Sequence, residues 1–184
     1  MAAATELFSE KGFLATTTQE LADAVGLVKG TLYYHIGSKT QLLYQIHQHV
    51  TEEGSRRWEE ILEGADGRET PDVIEEMIIA HCEIMHEYRA WVAVFSEEVK
   101  HLPPEYARQV RRSRAAYQEQ LRRVLQRGMA EGDLVPGDSR TAALILMGTL
   151  NSMYRWYSPK GRLSARRIGE VIASIALDGI SAHR

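Results

Sequence analysis

One cysteine, Cys82, stands in the 184 residues, so no internal disulfide can staple the chain. It reads as a small buried hydrophobe in a reducing compartment. Long uncharged runs are also missing. The longest, from Thr141 to Tyr154, falls short of the ~20 apolar residues that cross a bilayer, and the first residues lack the basic-then-apolar pattern of a secretory signal. These absences argue against a membrane partner and point to the cytoplasm. No nucleophile elbow, glycine-rich phosphate loop or zinc-finger spacing occurs, so no enzyme activity and no cofactor are expected. Sustained apolar-polar alternation is absent too, which argues against a sheet protein.

What is present is an ordinary globular composition, 44% hydrophobic and 26% charged, with a net charge of −3. An acidic total looks wrong for a partner made of phosphates, but the distribution matters more. From Gly26 to Lys39 there is no acidic residue, while Lys29 and Lys39 are cationic. Helical periodicity dominates, with glycine and proline at the joints. It predicts an all-α fold with helices over 2–11, 18–25, 29–36, 39–63, 71–87, 90–101, 104–131, 139–157 and 164–182. Three short helices precede six longer ones. This pattern predicts a head over 1–38 and a larger body over 39–184. The head core is expected from Leu7, Phe8, Phe13, Leu21, Ala22, Val25, Leu27, Leu32, Ile36, Leu42 and Leu43.

The informative stretch runs from Thr17 to Lys39. A threonine can cap the second helix, with Glu20 completing the first turn, and a hydroxyl at a helix N-terminus is well placed for a phosphate. Gly26 supplies the freedom for a tight turn. In the short helix that follows, Leu32 and Ile36 point inward at i and i+4, while Lys29, Thr31, Tyr34 and His35 lie outward. One side packs and the other offers donors and apolar edges to a major groove. Ser38 can cap the next helix, and Lys39 at its start can meet a phosphate.

Thr17-Thr18, Leu21-Ala22, Val25-Gly26-Leu27, Gly30, Leu32-Tyr33, His35 and Ser38-Lys39 together resemble the TetR family of one-component transcriptional regulators. The resemblance implies an N-terminal three-helix helix-turn-helix head plus a six-helix ligand-binding and dimerisation body. It implies a repressor on a near-palindromic double-stranded DNA operator, released by a small-molecule inducer. It places Thr17, Thr18, Lys29, Gly30, Thr31, Tyr33, Tyr34, His35 and Lys39 at DNA, with Lys29 and Thr31 reading bases and the two tyrosines clamping backbone. Ile36 stands where the family usually has phenylalanine. The first helix begins at Met1, where relatives carry a longer basic extension; weaker DNA affinity or a native start further upstream is expected.

In the body, the segment from Ser139 to Tyr157 is apolar nearly all round and the last helix repeats the pattern. Each needs a second burial partner. A homodimer is expected, with Leu146, Leu150, Ile168, Ile172 and Ile175 at its interface. Flexible or flat apolar groups suited to an adaptable cavity nominate Met85, Tyr88, Trp91, Phe95, Met153, Arg155, Trp156 and Tyr157 as effector-binding residues. The string from Arg155 to Ser164 resembles the branch of the family that controls fatty-acid, sterol or aromatic-acid degradation. That resemblance implies an acyl-CoA-like effector, whose phosphates could meet Arg108, Arg111, Arg112 and Arg114.

Two other readings compete. Glu83-x-x-His86 and Glu98-x-x-His101 each place a carboxylate and an imidazole on one helix face, as in helical di-metal carboxylate enzymes. Only ~15 residues separate them, too few for two long facing helices. The third reading is a helical ligand-binding protein without DNA binding.

Overall fold

The computed structural model describes residues 1–180, and every regular element among them is helical. In chain order these are α1 (Ala2–Lys11), α2 (Thr18–Ala24), α3 (Lys29–Ile36), α4 (Lys39–Glu63), α5 (Thr70–Glu87), α6 (Arg89–Glu98), a 3₁₀ turn (Val99–His101), α7 (Pro104–Glu131), α8 (Ser139–Asn151), the short α9 (Met153–Trp156) and α10 (Ala165–Ile180). None is long and apolar enough to cross a membrane.

Local chemistry sets the boundaries. Pro104 opens α7 at the position where its missing N–H costs nothing. The Ser38 hydroxyl accepts the Gln41 N–H at 3.0 Å to cap α4, and Asp138 accepts the Thr141 N–H at 2.6 Å to cap α8. The apolar run expected as one helix over 139–157 breaks at Ser152. Its hydroxyl donates to the Thr149 carbonyl at 2.7 Å and accepts the Trp156 indole N–H at 3.2 Å. A local hydroxyl bond of this kind competes with the helix ladder. The expected extension of the last helix to 182 lies outside the described residues.

The chain forms two compact units, Met1–Val50 with Tyr88–Ser113, and Thr51–Glu87 with the described residues from Arg114 onward. The first is built on Ala4, Phe8, Phe13, Leu21, Ala22, Leu32, Ile36, Leu42, Leu43 and Ile46, closed by Val94, Phe95, Leu102 and Val110. Val25, expected in that core, is 46% exposed. It terminates α2 immediately before the turn, where the chain leaves the packed face. Leu7 and Leu27 are half-buried.

The second unit centres on Trp58, Ile74, Met77, Ile78, Leu121, Leu125, Leu150 and Met153, all buried. Its tightest helix pair is α5 with α10. A Cβ on Gly169 would come within 2.8 Å of the Ile79 Cα, so glycine is what permits that approach.

Candidate nucleic-acid interface and effector residues

Thr17 caps α2 through a reciprocal pair of bonds. Its hydroxyl accepts the Glu20 N–H at 3.2 Å, and its own N–H donates to Glu20 Oε2 at 2.7 Å. Lys11 donates to the other carboxylate oxygen at 2.6 Å. That ammonium, followed by the Thr17 N–H and hydroxyl, holds the Glu20 carboxyl down at about 2. Gly26 adopts φ +67°, and Leu27 donates its N–H to the Ala22 carbonyl at 2.9 Å, closing the turn into α3.

The face of α3 is sharply divided. Leu32 and Ile36 are buried, whereas Lys29, Gly30, Thr31, Tyr33, Tyr34 and His35 are exposed, Tyr34 at 88%. No side chain caps the start of α3, and a Cβ on Gly30 would meet nothing within 4 Å. An approaching phosphate would find open backbone there. The Tyr33 hydroxyl donates to Thr18 Oγ at 3.3 Å, which joins the two helices at the rim of this surface.

Lys39 departs from the expected phosphate contact. Its ammonium donates to the carbonyls of Phe13 at 2.6 Å, Thr16 at 2.7 Å and, more weakly, Leu14 at 3.4 Å, and it sits 4.5 Å from the centroid of the Phe13 ring. With its three donors directed at the α1–α2 turn, it braces the head from within. Desolvation lowers its pKa, against the attraction of Glu98.

Motif reading placed Glu98 beside His101 and missed its partner in the head. Glu98 accepts the Phe13 N–H at 3.1 Å across 85 positions of sequence and lies 3.4 Å from Nε2 of His101, whose ring stacks on that of Phe13. Only the folded chain brings these residues together.

The effector candidates divide between the units. In the first, Tyr88 and Trp91 are half-buried and pack with His49, while Phe95 is buried and stacks on His47 with ring centroids 4.2 Å apart. In the second, Met85 and Met153 are core residues, and the buried Tyr157 shares a 2.9 Å hydrogen bond with His86 Nδ1. Arg155 and Trp156 face solvent, Arg155 donating to the Tyr154 hydroxyl at 2.9 Å. Arg108, Arg111 and Arg112 are exposed along α7.

Sequence reasoning missed a buried polar cluster in the second unit. Trp58 stacks on Tyr117 at 4.0 Å, and the Tyr117 hydroxyl lies 3.0 Å from His81 Nδ1. Burial lowers the His81 pKa to about 4, against the opposing influence of Asn151, which favours the protonated ring.

The residues expected at the interface differ in their exposure within the protomer. Leu146, Leu150 and Ile168 are 8%, 0% and 9% exposed and pack inside the protomer, and Ile172 is half-buried. In α8 the stripe Ala143, Leu146, Met147 and Leu150 faces the core. That leaves Leu144 and Ile145 outside at 54% and 64%, beside the open flank of Gly148. On α10 the outward apolar residues are Val171 at 39% and Ile175 at 70%. These last two also line a cleft of about 460 Å³ with Glu75, Arg167, Glu170 and Ser174.

The two Glu-x-x-His pairs have other partners. Glu83 lies 3.6 Å from the Arg166 guanidinium, His86 bonds Tyr157, and Glu98 holds Phe13. Among the described residues no group of three or more His, Cys, Asp or Glu could hold a metal ion.

Known proteins resemble this chain over nearly all of its length. Residues 1–46 match the family described as bacterial regulatory proteins, tetR family, and residues 67–180 match the tetracyclin repressor-like C-terminal domain. The HTH-type transcriptional repressor KstR2 of Rhodococcus jostii (strain RHA1) is 30% identical over 187 residues, covering 97% of this chain and 87% of that protein. The TetR family transcriptional regulator PfmR from Thermus thermophilus has a crystal structure similar at a TM-score of 0.88 and 31% identity, with 96% of this chain and 95% of that one covered. AibR, in complex with isovaleryl coenzyme A and operator DNA, matches at a TM-score of 0.80 and 21% identity over 94% of this chain and 93% of its own. At that identity the likeness is one of fold.

Proposed function

This chain belongs to the TetR family of bacterial regulatory proteins, and from that premise we propose that it is a cytoplasmic, homodimeric, ligand-released repressor of transcription rather than an enzyme. The observation that carries the DNA-binding part is the two-sided α3, with Leu32 and Ile36 buried and Lys29, Thr31, Tyr34 and His35 exposed. In this reading Lys29 and Thr31 read base edges. Tyr33, Tyr34 and His35, together with the helix starts at Thr17, Thr18 and Gly30, hold phosphates. The DNA-binding module corresponds to 1–38 and the ligand-binding and dimerisation module to 39–184.

A dimer is needed because one recognition helix reads only a few base pairs. Two copies place a pair of them about 34 to 36 Å apart on a near-palindromic site. The exposed Leu144, Ile145, Val171 and Ile175 are the apolar side chains proposed to meet across the two-fold axis. For the effector we infer an acyl-CoA-like molecule. AibR, a protein of the same fold, holds isovaleryl coenzyme A, and within the first unit Tyr88, Trp91 and Phe95 bring flat apolar groups together on α6 and its N-cap. An effector that bound the DNA-competent and DNA-incompetent spacings equally would shift nothing, so it must favour the second.

The test is a salt-dependent titration of the protein against DNA fragments flanking its own gene, beside the Lys29→Ala, Tyr34→Ala double variant. One fragment should bind tightly, weaken with a log-log slope of about −0.9 per phosphate neutralised, and lose its preference in the variant. Equal binding to random DNA would favour a ligand-binding protein without an operator. Calorimetry with acyl-CoA esters against the corresponding free acids tests the effector, and binding of the free acids alone would refute the thioester.

A further inference from the structure

The α1–α2 turn of the first unit is held from two sides through a single residue. The Phe13 carbonyl accepts Lys39 at 2.6 Å, and the Phe13 N–H donates to Glu98 at 3.1 Å. From there bonds run onward. The Thr16 hydroxyl donates to the Gly12 carbonyl at 2.8 Å, Lys39 also holds the Thr16 carbonyl at 2.7 Å, and Thr17 next to it caps α2. Thr18, at the first position of α2, accepts the Tyr33 hydroxyl of α3. An unbroken path of backbone and short hydrogen bonds therefore leads from the Glu98 carboxylate to the start of α2.

Lys39 sits at the start of the helix directly after α3, so its hold on the turn is internal to the head. Glu98 comes from the last position of α6, one helical turn beyond Phe95. Its side chain is only 15% exposed, so few waters compete for the carboxylate, and a charged acceptor makes the stronger kind of bond to a backbone N–H.

We propose that Glu98 is a positioning residue for DNA binding: by fixing the Phe13 backbone it sets the start of α2 and the rim it shares with α3. This rests on the regulator reading above and deepens it.

The experiment compares the wild type with Glu98→Ala, Glu98→Gln and Glu98→Asp. Glutamine keeps a neutral acceptor at the same reach, and aspartate keeps the charge but falls one methylene short. Amide hydrogen exchange at Phe13 reads the bond itself, and titration of the DNA fragment selected by the wild type reads its consequence. Alanine and aspartate should each speed Phe13 exchange at least tenfold and weaken binding about tenfold, while glutamine, a weaker neutral acceptor at the same reach, should fall between them and the wild type in both. Thermal melting identifies a variant that has lost its fold. If alanine unfolds the protein, the folded aspartate variant decides the matter.

Unchanged affinity in a folded variant whose Phe13 amide exchanges fast would overturn the proposal, as would unchanged exchange. A wild type that selects no DNA fragment would instead overturn the regulator reading.

Discussion

Replacing His81 by glutamine should make the protein less sensitive to mild acid. Burial between Tyr117 and Trp58 lowers the His81 pKa from 6.5 to about 4, so the folded chain keeps the ring neutral where the unfolded chain protonates it. Between these values the unfolded state binds more protons, and stability falls as pH falls through the window; above it the effect vanishes. A tenfold change in proton affinity corresponds to about 1.4 kcal/mol, so the gap between the folded and unfolded rings amounts to about 3 kcal/mol in full and about 2 kcal/mol at pH 5.

Glutamine leaves the Tyr117 hydroxyl an acceptor while removing the titration. Urea unfolding followed by tryptophan fluorescence at pH 7.5 and pH 5.0 is the assay. The wild type should lose about 2 kcal/mol more than the variant between these two conditions. Glu53 and Glu119, held down at about 2 by neighbouring arginines, contribute only as pH falls below 4.5, and the other histidines are common to both proteins. Equal losses in the two proteins would refute the reasoning.

Ile145→Glu combined with Ile175→Glu should produce a folded monomer by sedimentation, because both residues are exposed in the protomer; a double variant that stays dimeric places the interface elsewhere. Leu146→Ala, in contrast, should cost about 2 to 5 kcal/mol of stability through the cavity it leaves, read by denaturant unfolding, and a smaller loss would place Leu146 outside the core. Gly26→Ala forces a side chain into φ +67° and should cost about 1 to 2 kcal/mol. A melting temperature unchanged from the wild type would show that the turn can adopt another path.

The head was legible because its pattern is local. Capping at Thr17, the turn glycine and the i, i+4 pair Leu32 and Ile36 all act within a few residues, and the helix boundaries there agree with the structure within one position. The body was less so. In an α8 that is apolar on every side, periodicity locates the helix but cannot say which stripe its own protomer covers. Leu146 and Ile145 are chemically almost the same, and only the packing of the second unit separates them. The break at Ser152 carries no glycine or proline to announce it. Lys39 looked like a phosphate ligand because nothing in the sequence shows the three carbonyls folded beneath it. Glu98 meets Phe13 across 85 positions, a pairing that no motif spacing encodes.

The Lys11–Glu20 pair bears on the electrostatics of the surface proposed to face DNA. Through residue 39 the chain carries Lys11, Lys29 and Lys39 against Glu6, Glu10, Glu20 and Asp23, so this region has no surplus of cations to offer a polyanion. The capping carboxylate of α2 is nevertheless tolerable there, because Lys11 offsets its charge at 2.6 Å while leaving its capping bonds intact. Lys11 thus masks an anion that the fold requires and the nucleic acid would repel. Exchange of this residue for a neutral one would leave the cap in place and expose the charge, tuning affinity for DNA without altering any residue proposed to touch it.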